Sequence, residues 1–252
     1  MNLYPKFVDE AAGPPAQAVG TTVADIWNLT IGSHVSLWNK KQQFRQQQNY
    51  LDYIKKVEEK TQKIPEENVV EPQLHIIGPA IEASKHYIES EELREMFANL
   101  IASSIDQRLQ PETHPAFVEI IKQLSPFDAF LLKQFKEKND LPIVQIRVEN
   151  SINPSFNIIQ NHIMNLINQD NYKMQASSVS NLQRLGLLHV DYSFYTSESN
   201  GYDFINTHPA FIYANENLPS YTAVDPNLSR IGIRKGVILL TPLGESFIHV
   251  CL

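Results

Sequence analysis

The residues best equipped for chemistry in this 252-residue chain are eight histidines, one cysteine and scattered carboxylates, and their spacing decides what they can do. A zinc site needs three or four ligands converging from a helix or turn. His34, His75, His86, His114, His162, His189, His208 and His249 supply no His-Glu-x-x-His or His-x₃-His pair. His86 shares a helical face with Glu82 and Glu89, as any solvated helix does, and His114 precedes a proline, where an imidazole bonds across a turn. The carboxylates Glu67, Glu71, Glu95 and Asp106 set no metal geometry, and the first two read as the solvated start of a helix. There is no Gly-x-Ser-x-Gly elbow and no glycine-rich phosphate loop. Cys251, beside the C-terminus of the sequence, is a poor place for a nucleophile that a base must orient, and a single cysteine excludes an internal disulfide and a cysteine cluster. The expectation is a protein without catalytic residues, metal or cofactor.

Charge limits the partners. The net charge of −7 opposes general nucleic-acid binding, which calls for a basic surplus or face. Residues 177–252 hold only four cations, Arg184, Arg230, Arg234 and Lys235, against six acids. These four are the candidate phosphate contacts if duplex DNA is bound. The other candidate contact surface is aromatic: Tyr192, Phe194, Tyr195, Tyr202 and Phe204 open a stretch at 192–227 rich in Tyr, Asn, Ser and Pro. It serves either to recognise a protein partner or to pin a long loop to the core.

These residues depend on the elements that hold them. A composition of 42% hydrophobic and 19% charged residues is that of an ordinary globular chain. Gly13-Pro14-Pro15 interrupts the start. Ala16 to Trp38 carries a semi-apolar stripe but includes Asp25, Asn28 and His34, too polar for an ordinary spanning helix and open as an interfacial one. Residues 39–63 form a long polar helix with a narrow seam at Phe44, Leu51, Ile54 and Val57, able to meet a partner inside the chain or in a second copy. Helices are expected over 72–88, kinked or split at Gly78-Pro79, and over 90–105, capped by Ser90 with Leu93, Met96, Phe97, Leu100, Ile101 and Ile105 inward. Two more follow from Phe117 to Leu124 and from Ser125-Pro126 to about 138. Then Ile143–Val148 predicts a strand, Phe156–Ile167 a helix, and Ser177–Leu185 a helix stopped by Gly186. Leu187–Val190 and Val237–Leu240 predict strands, and Thr241 onward a last helix.

Two sets of residues carry resemblances. Asn181-Leu182-Gln183-Arg184-Leu185-Gly186-Leu187-Leu188, followed by Leu240-Thr241-Pro242-Leu243-Gly244, resembles winged-helix domains, where glycine stops the third helix and a two-stranded wing leads to a terminal helix. In the wider run from Pro65 to Pro126, the pieces are Pro65-Glu66-Glu67-Asn68, Glu71-Pro72, Gly78-Pro79, Leu93-Arg94-Glu95-Met96-Phe97-Ala98-Asn99-Leu100, His114-Pro115-Ala116-Phe117 and Ile121-Lys122-Gln123-Leu124-Ser125-Pro126. In that order they resemble the Abi-alpha (abortive-infection alpha) family of bacterial proteins associated with phage defence. The resemblance implies a biological process and assigns no catalytic or binding residue, so Phe97, Leu100 and Phe117 stay core residues.

The reading is a mainly α chain: a helical region over 1–110, then an α+β winged-helix-like region over 111–252 with a small antiparallel sheet and the 192–227 insertion. Its expected role is a non-enzymatic, cytoplasmic protein of abortive infection acting through protein contacts, with a homo-oligomer through 40–63 open. Two alternatives stand beside it: a DNA-binding regulator using Arg184, Arg230, Arg234 and Lys235, and a less favoured membrane-acting toxin using Ala16 to Trp38.

Overall fold

The computed structural model describes residues 43–166, 171–196 and 201–252. The Ala16–Trp38 window and residues 39–42 of the polar helix lie outside them. The class is α+β, with helices dominating and one four-stranded antiparallel sheet. The chain divides into two compact units. Of the described residues, unit 1 holds those up to 130 together with 246–252, and unit 2 holds those of 131–245.

Unit 1 is helical because its sequence repeats apolar residues at helical spacing. Helix α1 (Gln43–Thr61) buries Tyr50, Tyr53, Ile54 and Val57 and packs on α3. Ile54 and Val57 of the expected seam are thus buried inside the unit and Leu51 is half-buried, while the Phe44 side chain lies outside the described residues. Helix α2 (Leu74–Ser84) runs through Gly78-Pro79 without being split. Helix α3 (Glu91–Ser103) starts as expected, with the Ser90 hydroxyl accepting from the Leu93 N–H at 3.3 Å. The charged residues of the Leu93–Leu100 run tie helices together. The Arg94 guanidinium, 6% exposed, donates to the Ile88 carbonyl and to Asp52 at 3.2 Å, while Glu95 receives Lys56 at 3.0 Å and Lys60. Helix α4 (Ala116–Ile121) supplies Phe117, whose ring meets Phe247 edge-on at 5.2 Å. Helix α5 (Pro126–Lys133) begins with a reciprocal cap: the Ser125 N–H donates to Asp128 at 2.7 Å and the Asp128 N–H to the Ser125 hydroxyl at 3.1 Å.

Unit 2 is built on the sheet, in the order β2-β1-β4-β3. Strand β1 (Asp140–Asn150) is longer at both ends than Ile143–Val148, and β4 (Leu228–Leu240) extends far beyond Val237–Leu240. The largest departure is β2 (Phe156–Ile163), a strand where a helix over Phe156–Ile167 was expected. The turn before it decides this: Asn150 Oδ1 accepts from the Ile152 N–H and Asn153 Oδ1 from the Ser155 N–H. That Asx chemistry reverses the chain, and the following residues pair back onto β1, Arg147 opposite Ile158 and Glu149 opposite Phe156.

Helix α6 (Tyr172–Arg184) ends at Gly186, whose φ of +76° needs a glycine. Strand β3 (Leu188–Asp191) then pairs with β4. The 192–227 insertion contains two helices, α7 (Pro209–Glu216) and α8 (Leu218–Val224). Tyr202, Ile205, Ala210 and Ala214 from it form one buried cluster with Val144, Ile146 and Ile163. The insertion therefore covers the sheet face carrying Val144 and Ile146 and leaves the alternate residues of β1 to the other face. Helix α9 (Pro242–Cys251) closes the chain.

Candidate functional site

The other face of the sheet carries a group of polar residues, buried at Gln145 and exposed at Arg230 and Arg234. Strand register places Gln145 of β1 opposite Arg234 of β4, Arg147 opposite Gly232, and Glu149 opposite Arg230. Directly paired residues share a face, so three arginines lie on this one. Arg230 is neutralised, its Nε donating to Glu149 Oε2 at 3.0 Å. Gly232 makes room for that pair, since a Cβ there would sit 2.2 Å from Glu149 Oε1.

Arg147 and Arg234 form no ion pair among the described residues. The Arg147 Nε donates to Gln145 Oε1 at 2.7 Å, and its guanidinium lies 3.9 Å from the Phe156 ring centre. Its Nη2 is buried and has no acceptor. Burial, and then the charge of Arg234, push the Arg147 guanidinium below its usual value, while Glu149 acts the other way. The Arg234 Nε donates to the Tyr192 carbonyl at 3.1 Å, with the guanidinium 5.6 Å from the Tyr192 ring centre. The Tyr192 ring rests against Gly236, where a Cβ would meet ring carbon Cδ1 at 2.5 Å. The Tyr192 hydroxyl accepts from the His162 N–H at 3.3 Å and lies 3.2 Å from His162 Nδ1. Burial lowers the His162 imidazole and raises the Tyr192 phenol. His162 itself has φ +57°, at an irregularity where β2 carries an extra residue against β1.

The structure thus brings Arg234 and Tyr192 together and adds Arg147 and His162. It places the other candidates elsewhere. Arg184 is held by Asn181 of its own helix, its Nη2 donating at 2.8 Å. Lys235 points to the opposite face, 5.0 Å from the Tyr202 ring centre. Tyr202 is a core residue, 4% exposed, its hydroxyl donating to the Gly236 carbonyl at 2.8 Å and accepting from the Thr196 N–H at 3.0 Å. Phe204 packs against the buried cluster. Phe194 and Tyr195 stay in solvent, 66% and 68% exposed. Arg147 carried one sequence signal: it falls on the polar side of the strand read over Ile143–Val148.

Of the carboxylates weighed earlier, Glu95 is held by Lys56 and Lys60 and Asp106 by Arg108. In unit 1 a pocket of about 180 Å³ is lined by Lys60, Asp106, Arg108 and His249, among others. Asp106, 3% exposed, accepts from the Arg108 Nη2 at 2.6 Å, Nε at 2.9 Å and backbone N–H at 2.9 Å. The Arg108 side chain holds the Asp106 carboxyl below its usual value, although burial pushes the other way. Its contribution to stability is therefore complete above the ordinary aspartate range near pH ~3.9 and is lost as the pH falls through the lower folded-state value. An Asp106→Asn variant is expected to be about 1 kcal/mol less stable near neutrality, a modest figure because Arg108 faces solvent. Urea unfolding at a series of pH values checks this: the gap to wild type should close under acid, and a gap independent of pH counts against it. No group of three or more His, Cys, Asp or Glu side chains able to hold a metal ion occurs among the described residues. None of the helices among them is long and apolar enough to cross a membrane.

Residues 45–251 match the model of the family described as Abortive infection alpha. This chain belongs to the abortive infection alpha family. The match spans both units, including the arginine-bearing sheet face. No curated protein matches the chain. One solved structure, that of an uncharacterized protein from the hydrocarbon-degrading marine bacterium Alcanivorax borkumensis SK2, is similar at 14% identity with a TM-score of 0.36. The similarity covers 57% of this chain and 94% of that one, and at such a score it carries no argument.

Proposed function

We propose that this member of the abortive infection alpha family acts in phage defence as a non-catalytic protein that works by contact with a partner, made on the arginine-bearing sheet face of unit 2. The observation that carries this reading is the make-up of that face. Two guanidiniums, Arg147 and Arg234, stand there without a carboxylate partner among the described residues and offer an anion hydrogen bonds and charge, beside the Tyr192 ring. Membership of the family supports the process.

A protein partner docking on Phe194 and Tyr195 is the second reading, favoured by their exposure of 66% and 68%. A winged-helix-like view of unit 2 is supported by α6 ending on Gly186 and by β3 and β4 pairing across the insertion. The addition of β1 on the far side of β4 supports it further. Duplex reading from α6 is the weaker use of that fold: β2 stands where a helix would precede α6, and Arg184 is engaged on its own helix.

Plaque assays on cells expressing wild type, Arg147→Ala/Arg234→Ala, or Phe194→Ser/Tyr195→Ser separate these readings. The first is supported if the arginine pair abolishes protection at unchanged protein level while the aromatic pair does not. Full protection by the arginine variant overturns it.

A further inference from the structure

We infer that the Arg147–Arg234 face binds the phosphate of a nucleotide, with the base lying on the Phe156–Ile158 shelf of the edge strand. The inference rests on the reading of this face as the contact surface and names its ligand. Both guanidiniums stand in adjacent rows of the same sheet face, each raising the cost of the other. The carboxylate close by, Glu149, is drawn off by Arg230. An unsatisfied buried N–H, the Arg147 Nη2, adds a donor without an acceptor. A group with several anionic oxygens answers all of these at once, and phosphate does so better than a carboxylate, which offers one negative charge.

The neighbouring surface points to a base as the remainder of the ligand. Phe156 and Ile158, 40% and 49% exposed, lie on the same face as Arg147 and one strand further out. The Phe156 ring, already beneath the Arg147 guanidinium, extends the flat surface on which a base stacks, as aromatic side chains on open sheets do for unpaired bases. Two free cations suit one or two phosphates and not the long track of a duplex. Nucleoside phosphate is common to a free mononucleotide and to a residue within a single strand, and the measurements distinguish them.

The test uses the full chain, a labelled mixed-sequence single-stranded 12-mer of DNA and of RNA, mononucleotides, inorganic phosphate and an acidic phosphopeptide, read by anisotropy or calorimetry. Binding of the nucleotide ligands is expected at about 50 mM salt, with a log–log salt slope near −1.4 for two phosphate contacts to a strand. Arg234→Ala, an exposed position, and Arg147→Lys, which keeps charge but loses the planar fork, should each weaken binding about tenfold. Phe156→Ser should weaken it severalfold while circular dichroism stays unchanged. A 12-mer binding more than about tenfold tighter than the mononucleotides assigns the ligand to a strand, and equal affinities assign it to free nucleotide. The inference fails if neither binds, if the arginine variants bind like wild type, or if inorganic phosphate or the phosphopeptide binds as tightly. Nucleotide binding with protection unaffected by the arginine variants would sink the contact-surface reading instead. Protection that needs the arginines without nucleotide binding would sink the ligand assignment alone.

Discussion

Phe117→Ala is expected to remove about 3–5 kcal/mol of stability, the usual range for a buried phenylalanine. The side chain has no exposure, and its ring meets Phe247 at 88° and 5.2 Å. Loss of the ring removes the transfer free energy, leaves a cavity, and deletes an edge-to-face pair worth about 0.5–1.5 kcal/mol by itself. Its ring partner Phe247 is fully buried as well, so the site has little freedom to collapse. Against a typical domain stability of about 5–15 kcal/mol, this loss leaves unit 1 close to unfolding. Urea unfolding followed by far-ultraviolet circular dichroism checks it, through a lowered midpoint at unchanged slope. A loss below about 1 kcal/mol would show that the ring is not the core element its packing makes it.

Gly244→Ala carries the second large effect and a test of sign. In an exposed helix interior, glycine to alanine gains about 1 kcal/mol from propensity. Here the added methyl would lie 2.1 Å from the Leu187 carbonyl oxygen and 3.0 Å from its carbon. That carbonyl cannot swing away freely, because it accepts from the Thr241 N–H at 3.0 Å and the Thr241 hydroxyl at 3.3 Å. The residue before it, Gly186, already occupies the left-handed region. Either α9 or the α6–β3 connection must shift, and overpacking of this kind costs about 1–3 kcal/mol or more, which outweighs the propensity gain. The variant should melt several degrees below wild type in differential scanning calorimetry. An unchanged or raised transition would mean that the helix start slides at no cost.

The elements with local causes were legible in the sequence. Helix α3 was readable from Ser90 and from Leu93, Met96, Phe97, Leu100 and Ile101, because capping and helical spacing act within a few residues. The Ser125–Asp128 cap and the stop at Gly186 were readable for the same reason. The β2 segment was not, since Phe156, Ile159 and Ile163 satisfy a helical stripe as well as a strand. Pairing with β1 across the Asn150–Ser155 turn settles it, and neither periodicity nor propensity contains that pairing. The candidate site was half legible. Arg234 and Tyr192 stood out by type, but their meeting with Arg147 and His162 follows from strands joined over long stretches of chain. Tyr202 shows the converse: its type suits a contact surface, whereas its hydroxyl is used up on the Gly236 carbonyl inside the fold.

Unit 1 is closed by residues 246–252, with Asn99 donating to the Cys251 carbonyl at 2.9 Å and Ser103 to the Val250 carbonyl at 3.0 Å. During synthesis those residues leave the ribosome only after the whole of unit 2 has been made. The helical body translated first must therefore wait, with its Phe247 seat vacant and apolar, while the sheet region is still being threaded out. Nascent chains stalled before Ser246 would expose that seat to chaperones and proteases, whereas emergence of residues 246–252 would seal it.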